Sequence, residues 1–191
     1  NGQIELEANY KTGKLSGKST KWHENGQIEL EANYKTGKLS GKLTAWEENG
    51  KKHVERHYKE GRLNGKSSYW DTNGQLYLEE YYKDGDNPEY LTRFNYYDNK
   101  HIKSIRNFKN NLLNGQTIYY LNADDQKLID GTYKDGKPDG RWDFWDKKGR
   151  KIEESNYNFG NLVNKTKFKY TFTGQLKSKK KYKHGVCISG C

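Results

Sequence analysis

The stretch NGQIELEANYKTGKLSGK at residues 25–42 decides the fold, because the same letters already occupy positions 1–18. Trp22, Trp46 and Trp70 keep the same spacing, so the period is 24 residues. A fixed period of this length indicates a chain built from tandem structural repeats. The repeat, rather than any single motif, is therefore the starting point for fold and function.

The repeat decays along the chain but does not stop. Two aromatic positions recur in each copy, and we predict that they form the repeat core by packing between neighbouring units. One position holds Trp22, Trp46, Trp70, Tyr96, Tyr120, Trp145 and Tyr170, and the other holds Tyr34, Tyr58, Tyr82, Phe108, Tyr133, Tyr157 and Tyr182. We divide one repeat domain, 1–191, into a partial unit 1–16 and units 17–40, 41–64, 65–88, 89–114, 115–139, 140–163 and 164–191.

Each unit predicts two antiparallel strands. In Gln27–Tyr34 apolar and polar residues alternate, which is the period of a half-buried strand. Lys42–Trp46 is the second run, and Asn25-Gly26 between such runs is typical of a type I′ hairpin turn with two positive φ angles. The fold class is therefore all-β, a meander of tandem hairpins of about 24 residues.

The same glycines imitate a nucleotide-binding loop. Gly13-Lys-Leu-Ser-Gly17-Lys18-Ser19 lacks the four-residue spacing of a phosphate loop, and similar segments recur at Gly37 and Gly61. Three such loops in one short chain are implausible. We interpret the segment as an inter-unit turn after which Lys18 starts a strand.

The composition agrees with a thin sheet. Hydrophobic residues make up 31% of the chain, below the usual share of about 45–50%. Aromatic residues make up 14% and sit at fixed repeat positions, so the low apolar share does not indicate disorder. Tyrosine and tryptophan can bury a ring and keep a polar tip, as a sheet without a spherical core requires.

Positive charge is concentrated at one end. The net charge is +10, and no acidic residue follows Glu154. This lysine-rich segment either contacts nucleic acid, anionic lipid or an acidic protein, or is a solvated terminal unit that blocks edge-to-edge sheet growth. Its lysines, the candidates for polyanion binding, are Lys165, Lys167, Lys169, Lys177, Lys179, Lys180, Lys181 and Lys183.

The two cysteines, Cys187 and Cys191, either close a small disulfide that stabilises the end or serve a metal or redox role. No stretch approaches the ~18–20 apolar residues of a membrane span. The sequence starts at Asn1, inside a repeat, and contains no Met. If a leader preceded Asn1, the protein would be secreted or located at the cell surface.

No residue pattern predicts catalysis, and we expect no cofactor and no metal. His53 and His57 lie four residues apart on a predicted strand, about 13 Å, which is too far for one zinc ion. Glu29 and Glu31 repeat as Glu5 and Glu7, whereas a catalytic acid–base pair is a single pair of carboxylates in two distinct environments. The sequence therefore predicts exposed strand histidines, a solvated carboxylate face and a protein that is not an enzyme.

The unit resembles the MORN-repeat variant found in bacterial proteins, including YwqK-type antitoxins. The residues that carry the resemblance are Trp46-Glu-Glu-Asn-Gly50, Tyr58-Lys-Glu-Gly61 and Leu63-Asn-Gly65-Lys66. The resemblance implies an elongated, twisted single-layer antiparallel sheet with a groove that binds proteins, or lipid in some relatives. The chain departs from the pattern where Lys100, Asn111 and Asn164 replace glycines.

We expect a non-enzymatic binding module that engages a protein partner, since tyrosine, tryptophan and arginine dominate protein interfaces. The resemblance implies an antitoxin or immunity protein that neutralises a toxin, which would be cytoplasmic. The alternatives are a secreted or surface structural, adhesin-like protein and a polyanion-binding protein. The candidate partner-binding residues beside the core are Tyr69, Tyr77, Tyr81, Tyr119 and Phe144.

Overall fold

The protein is described by a computed structural model covering residues 4–85, 87–121 and 125–191. The remaining residues, which belong to the predicted units 1–16, 65–88 and 115–139, lie outside the described part. Within the described part all regular structure is β-strand. In chain order the strands are β1 (Leu6–Lys11), β2 (Lys14–Trp22), β3 (Ile28–Lys35), β4 (Lys38–Trp46), β5 (Lys52–Lys59), β6 (Arg62–Leu63), β7 (Gly65–Trp70), β8 (Leu76–Tyr82), β9 (Tyr90–Tyr96), β10 (Ile102–Lys109), β11 (Leu112–Tyr120), β12 (Lys127–Lys134), β13 (Lys137–Pro138), β14 (Gly140–Trp145), β15 (Lys151–Asn158), β16 (Asn161–Tyr170), β17 (Leu176–Lys183) and β18 (Val186–Ser189).

The strands form antiparallel meanders within two compact units. The first unit ends at Thr92 and the second begins at Arg93, within β9. In the first unit β1 through β5 pair in succession, β5 pairs with both β6 and β7, and β7 pairs with β8. In the second unit β10, β11, β12, β14, β15, β16, β17 and β18 pair in the same way, with β13 beside β12. The prediction of an all-β antiparallel hairpin repeat is confirmed.

The two turns of each repeat have different geometries, and the predicted assignment of the type I′ turn was wrong. At Asn25-Gly26 the glycine alone has a positive φ, 83°, and its N–H donates to the carbonyl of His23. The pair with two positive φ angles is Thr36-Gly37, at 50° and 81°. A two-residue link between β3 and β4 needs the I′ twist, whereas the longer loop after Trp22 does not.

The strand start predicted at Lys18 was also wrong. Strand β2 already begins at Lys14, and Gly17 lies inside it with a φ of 98° where the pairing with β1 shifts register. A glycine in this conformation is typical of a β-bulge, which bends a strand without ending it. The predicted glycine replacements behave differently: Lys100 and Asn111 keep the positive φ, at 70° and 64°, whereas Asn164 does not.

The most deeply buried side chains are small rather than aromatic. Ala32, Ser67, Thr117 and Ser155 each have no exposed surface, while all the recurring aromatic positions are half-buried. Ser68, next to Ser67, is only 4% exposed, and consecutive strand residues point to opposite faces. Larger neighbouring side chains therefore cover both faces of the sheet along its central row.

Turn-to-turn hydrogen bonds join successive hairpins along one edge. The N–H of Gly37 donates to the carbonyl of Leu15 at 2.8 Å, and Gly61 donates to Leu39 in the same way at 2.8 Å. In the second unit Gly160 donates to Pro138 at 2.7 Å. Each I′ turn is thus supported by the preceding repeat, as nearest-neighbour stacking in repeat proteins requires. No helix capable of spanning a membrane occurs in the described ranges.

Candidate functional site

The recurring tyrosines lie on one face of each unit, where strand register places most of them opposite glycines. Tyr34 pairs with Gly17, and Tyr58 and Tyr82 pair with Gly41 and Gly65. A glycine beside an aromatic residue on the neighbouring strand leaves room for the ring to cover the backbone. We call this side the tyrosine face; in the first unit it contains Tyr34, Tyr58, Tyr69 and Tyr82, and in the second Phe108, Tyr119, Tyr133, Trp142, Phe144 and Tyr157.

A charged network occupies the tyrosine face of the first unit. The Glu80 carboxylate accepts hydrogen bonds from the hydroxyls of Tyr69 at 2.9 Å and Tyr82 at 2.6 Å. The Cζ atom of Arg56 lies 5.3 Å from the centroid of the Tyr69 ring, within cation–π range. One carboxylate therefore fixes two aromatic rings, and one of these rings supports an arginine.

The ionisation of this network follows from its burial. Burial raises the pKa of Tyr69 and of Tyr82, and the hydrogen bond to Glu80 raises both further. Burial alone would lower the pKa of Arg56, but the neighbouring phenols of Tyr58 and Tyr69 raise it on balance. The two hydroxyls therefore stay protonated and donate to Glu80 at neutral pH.

The second unit has an aromatic cluster centred on Trp142. The ring is 6% exposed and meets Tyr133 edge-on at 5.0 Å, Tyr157 edge-on at 6.1 Å and Phe144 in a stack at 6.2 Å between centroids. Its indole N–H donates to a backbone carbonyl at 3.1 Å. A Cβ built on Gly131 would lie 2.1 Å from the ring, so only glycine fits there.

Trp142 is absent from the candidates identified by sequence reasoning, because its repeat position is not aromatic in the other units and holds Arg93 and Lys167 in two of them. Ser19, Leu43, Ser67 and Thr117 occupy that position in other units. The sequence feature that could have identified Trp142 is Gly131 on the adjoining strand, at the repeat position that holds Ala32 in an earlier unit. A large residue beside an unusually small one indicates compensating packing, which the aromatic period alone did not reveal.

The candidate partner-binding residues separate into two groups. Tyr69, Tyr119 and Phe144 lie half-buried on the tyrosine face. Tyr77 is 42% exposed, and its ring centroid lies 6.4 Å from that of Tyr69. Tyr81 is 43% exposed and pairs with Lys66, which places it on the opposite face. The structure therefore brings Tyr69 and Tyr77 together and separates Tyr81 from them.

The opposite face of the first unit carries a repeated ladder of ion pairs. Lys18 pairs with Glu31, Lys42 with Glu55 at 3.6 Å, and Lys66 with Glu79 at 2.7 Å. Cross-strand pairs of opposite charge stabilise antiparallel sheets modestly. The carboxylates repeated along this face therefore have a structural role, as their recurrence in the sequence suggests. A separate ion pair joins Glu29 to Lys21 at 2.9 Å.

The two histidines lie on β5 but differ in exposure. His53 is exposed, and its Nδ1 lies 2.7 Å from a Glu47 carboxylate oxygen. His57 is half-buried, and its Nδ1 lies 2.8 Å from the carbonyl oxygen of Lys66. Among the described residues no group of three histidine, cysteine or acidic side chains is arranged to hold a metal ion.

The lysine-rich segment does not present one continuous patch. Strand alternation and the pairing of β16 with β17 divide its lysines between two faces. Lys165 lies 5.8 Å from the centroid of the Tyr182 ring, Lys179 lies 5.5 Å from that of Phe168, and Lys167 approaches Glu153 at 3.9 Å. One face carries Lys165, Lys167, Lys169 and Lys180, the other carries Lys179, Lys181 and Lys183, and Lys177 lies where the register shifts.

Cys187 and Cys191, for which the sequence allowed more than one role, form a disulfide with each other. Cys187 lies on β18, opposite Tyr182 of β17. The covalent link therefore closes the chain beyond β18 back onto that strand.

A shallow polar cleft of about 520 Å³ lies in the second unit beside two turns. The amide of Asn114 donates to the Asp135 carboxylate at 3.1 Å and joins the two sides of the cleft. Its lining also includes Thr132 and Tyr133. The cleft thus adjoins the aromatic cluster of Trp142, which bonds to the Thr132 carbonyl.

Three segments of the chain match the family model of the MORN repeat variant, namely residues 15–36, 63–84 and 91–110. Together they cover about a third of the chain. Each match contains all or most of one strand that ends in a tryptophan or tyrosine, the following turn and the whole of the next strand. The chain therefore contains MORN-variant repeats at these three positions. A comparison with curated proteins gave no match.

Proposed function

We propose that the chain is a non-enzymatic binding module whose tyrosine face engages a protein partner. The observation that carries the proposal is the network of Tyr69, Glu80, Tyr82 and Arg56, which holds large rings rigidly at a half-exposed surface. Rigid aromatic anchors lose little conformational entropy on binding, and they dominate interface energetics. The matching MORN-variant segments support a repeat module.

The sharpest version of this proposal is an antitoxin or immunity protein that neutralises a cognate toxin. It is supported by the likeness of the repeat to bacterial antitoxin-type repeats and by a net charge of +10, which suits an acidic target surface. The toxin would be occluded by contact rather than by chemistry, since the role we propose requires no catalytic residue.

The test is a pull-down with the full chain as bait from the lysate of the source organism, treated with nuclease and washed at low and high salt. We expect one stoichiometric protein to survive high salt, and its identity tests the toxin assignment. Recovery of salt-labile, nuclease-sensitive material alone would favour polyanion binding and contradict the proposal.

Two tyrosines of equal exposure provide a matched comparison for the face. Tyr77→Ala removes the exposed ring beside Tyr69, whereas Tyr81→Ala removes one on the opposite face. We expect Tyr77→Ala to weaken the captured complex about tenfold or more and Tyr81→Ala to change it less than about twofold. If Tyr81→Ala weakened the complex more than Tyr77→Ala, the binding surface would lie on the opposite face, which carries the ion pairs.

A secreted or surface structural role is the second candidate, favoured by the Cys187–Cys191 disulfide. Disulfides persist in oxidising compartments and are rare in the cytosol. Mass spectrometry of the native protein, alkylated before any reduction, tests this candidate. Two alkylated cysteines would indicate a reducing compartment and favour the antitoxin version, whereas none would favour secretion.

A further inference from the structure

Two arginines flank one aromatic ring on the tyrosine face of the second unit. The Cζ atoms of Arg93 and Arg106 lie 5.3 Å and 5.9 Å from the centroid of the Phe108 ring. Arg93 is exposed, whereas Arg106 and Phe108 are half-buried. We name these three residues the Arg–Phe platform. Two guanidinium groups near one ring make a surface that is both apolar and strongly cationic.

Within the described part of the chain neither arginine of the platform forms an ion pair with an acidic side chain. In the described ranges the arginines that form ion pairs are Arg141 and Arg150. The Nε atom of Arg106 is buried without a hydrogen-bond partner, as is Oγ1 of its cross-strand neighbour Thr117, and Arg56 and Ser67 repeat this arrangement in the first unit. A partly desolvated cation without an acceptor is costly, so an anion brought to its exposed side would be favourable.

The first unit indicates which anion fits this arrangement. Arg56 occupies the same repeat position as Arg106, and there the chain supplies a Tyr69 ring that is tied to the Glu80 carboxylate. In the second unit Phe108 stands in the position of Tyr58, and Gly131 stands in the position of Glu80. The second unit therefore keeps the arginine and, as Tyr119, the ring in the position of Tyr69, but it lacks the Tyr58 hydroxyl and the Glu80 carboxylate.

We propose that the Arg–Phe platform binds a carboxylate side chain from an acidic segment of a protein partner. The inference rests on the proposed binding function and names the chemistry of the bound segment. The incoming carboxylate would lie over the exposed side of the platform, with Arg93 and Arg106 as donors. Guanidinium groups bind carboxylates through paired, charge-assisted hydrogen bonds, which are stronger than neutral ones.

The direct test is nuclear magnetic resonance of the ¹⁵N-labelled full chain, following the arginine Nε–H signals during titration with capped hexaglutamate. The signals of Arg93 and Arg106 are assigned from their loss in the corresponding lysine variants. We expect these two signals to move and saturate together. Arg93→Glu, which supplies an internal carboxylate at an exposed site, should weaken binding of the peptide at least about tenfold.

Arg62→Glu is the matched control, because it makes the same charge change at an exposed position in the first unit. It should alter the affinity for hexaglutamate less than about twofold. Equal losses of affinity for hexaglutamate in both variants would show that binding depends on net charge alone. This result would contradict binding at the platform. Binding at the platform is also contradicted if no arginine signal moves, or if the shifts map to the lysines of β16 and β17. A third contradicting result is that hexathymidylate moves the Arg93 and Arg106 signals more strongly than hexaglutamate does.

The pull-down separates failure of this inference from failure of the binding function. If Arg93→Glu loses hexaglutamate but still captures the partner at wild-type yield, the platform is not the partner contact and the binding function stands. If the wild-type chain captures no partner, the binding function fails whatever the arginine signals show. Loss of both hexaglutamate and the captured partner in Arg93→Glu supports the platform.

Discussion

The packing of Trp142 against Gly131 gives the sharpest prediction about stability. A methyl group at position 131 would lie 2.1 Å from the indole ring, and the ring is held by Tyr133 and Tyr157 on its edges. Because the ring cannot move without losing those contacts, Gly131→Ala should destabilise the second unit by about 1–3 kcal/mol through overpacking.

The control is Gly85→Ala, which adds the same methyl group without the clash. Gly85 has no positive φ, and its nearest neighbour would lie at an ordinary 3.5 Å. At such a site Gly→Ala is neutral or stabilises by about 0.4–1 kcal/mol, since it reduces the freedom of the unfolded chain. Urea unfolding followed by circular dichroism measures both variants.

A double-mutant cycle identifies the ring as the cause. Trp142→Ser alone should cost about 3–5 kcal/mol from lost burial, and serine is the residue found at this position in another repeat as Ser67. In that background Gly131→Ala should cost nothing further, since the clash is gone. An unchanged stability for Gly131→Ala alone, or an equal cost in both backgrounds, would refute the close packing of the two residues.

The remaining predictions concern strain and ionisation. Lys100→Gly should stabilise the second unit by about 0.5–1 kcal/mol in urea unfolding, because Lys100 holds a φ of 70°; a loss of stability would contradict strain at that residue. Glu80→Gln should lower the pKa of Tyr69 and Tyr82, while burial, the larger cause, still keeps both above the ordinary value near 10; absorbance titration should show two tyrosines ionising at lower pH than in the unsubstituted chain, and an unchanged titration would exclude Glu80 as a cause. A hydrogen bond from Arg150 lowers the pKa of Asp146, so its stabilisation is present above about pH 4 and is lost as pH falls through the folded pKa. Asp146→Asn should therefore flatten acid unfolding below pH ~4, and an identical pH profile would count against this ion pair.

The prediction of hairpin repeats succeeded because its signals are local. Residues two apart in Gln27–Tyr34 share a face whatever lies beside them, and glycines every few residues exclude helices. The assignment of the I′ turn failed because Asn-Gly suits more than one turn type. Loop length, which depends on where the flanking strands end, selects the Thr36-Gly37 turn for that geometry.

The candidate site was only partly accessible from sequence. Periodicity identified the aromatic positions, but it could not show that Tyr77 lies beside Tyr69 while Tyr81 faces away. It treated the terminal lysines as one cluster, although the pairing of β16 with β17 divides them between two faces. Which side chains meet depends on register, and register depends on bulges whose positions the repeat period does not reveal.

By itself the sequence determined the repeat, its period, the strand pairs and the aromatic positions, since these follow from spacing along one chain. Tertiary structure decided the small buried residues of the central row, the Trp142–Gly131 packing, the Glu80 network and the placement of Arg93 and Arg106 beside Phe108. The physical reason is that burial and charge pairing depend on side chains from neighbouring strands about 4.8 Å apart, which lie many residues away along the chain.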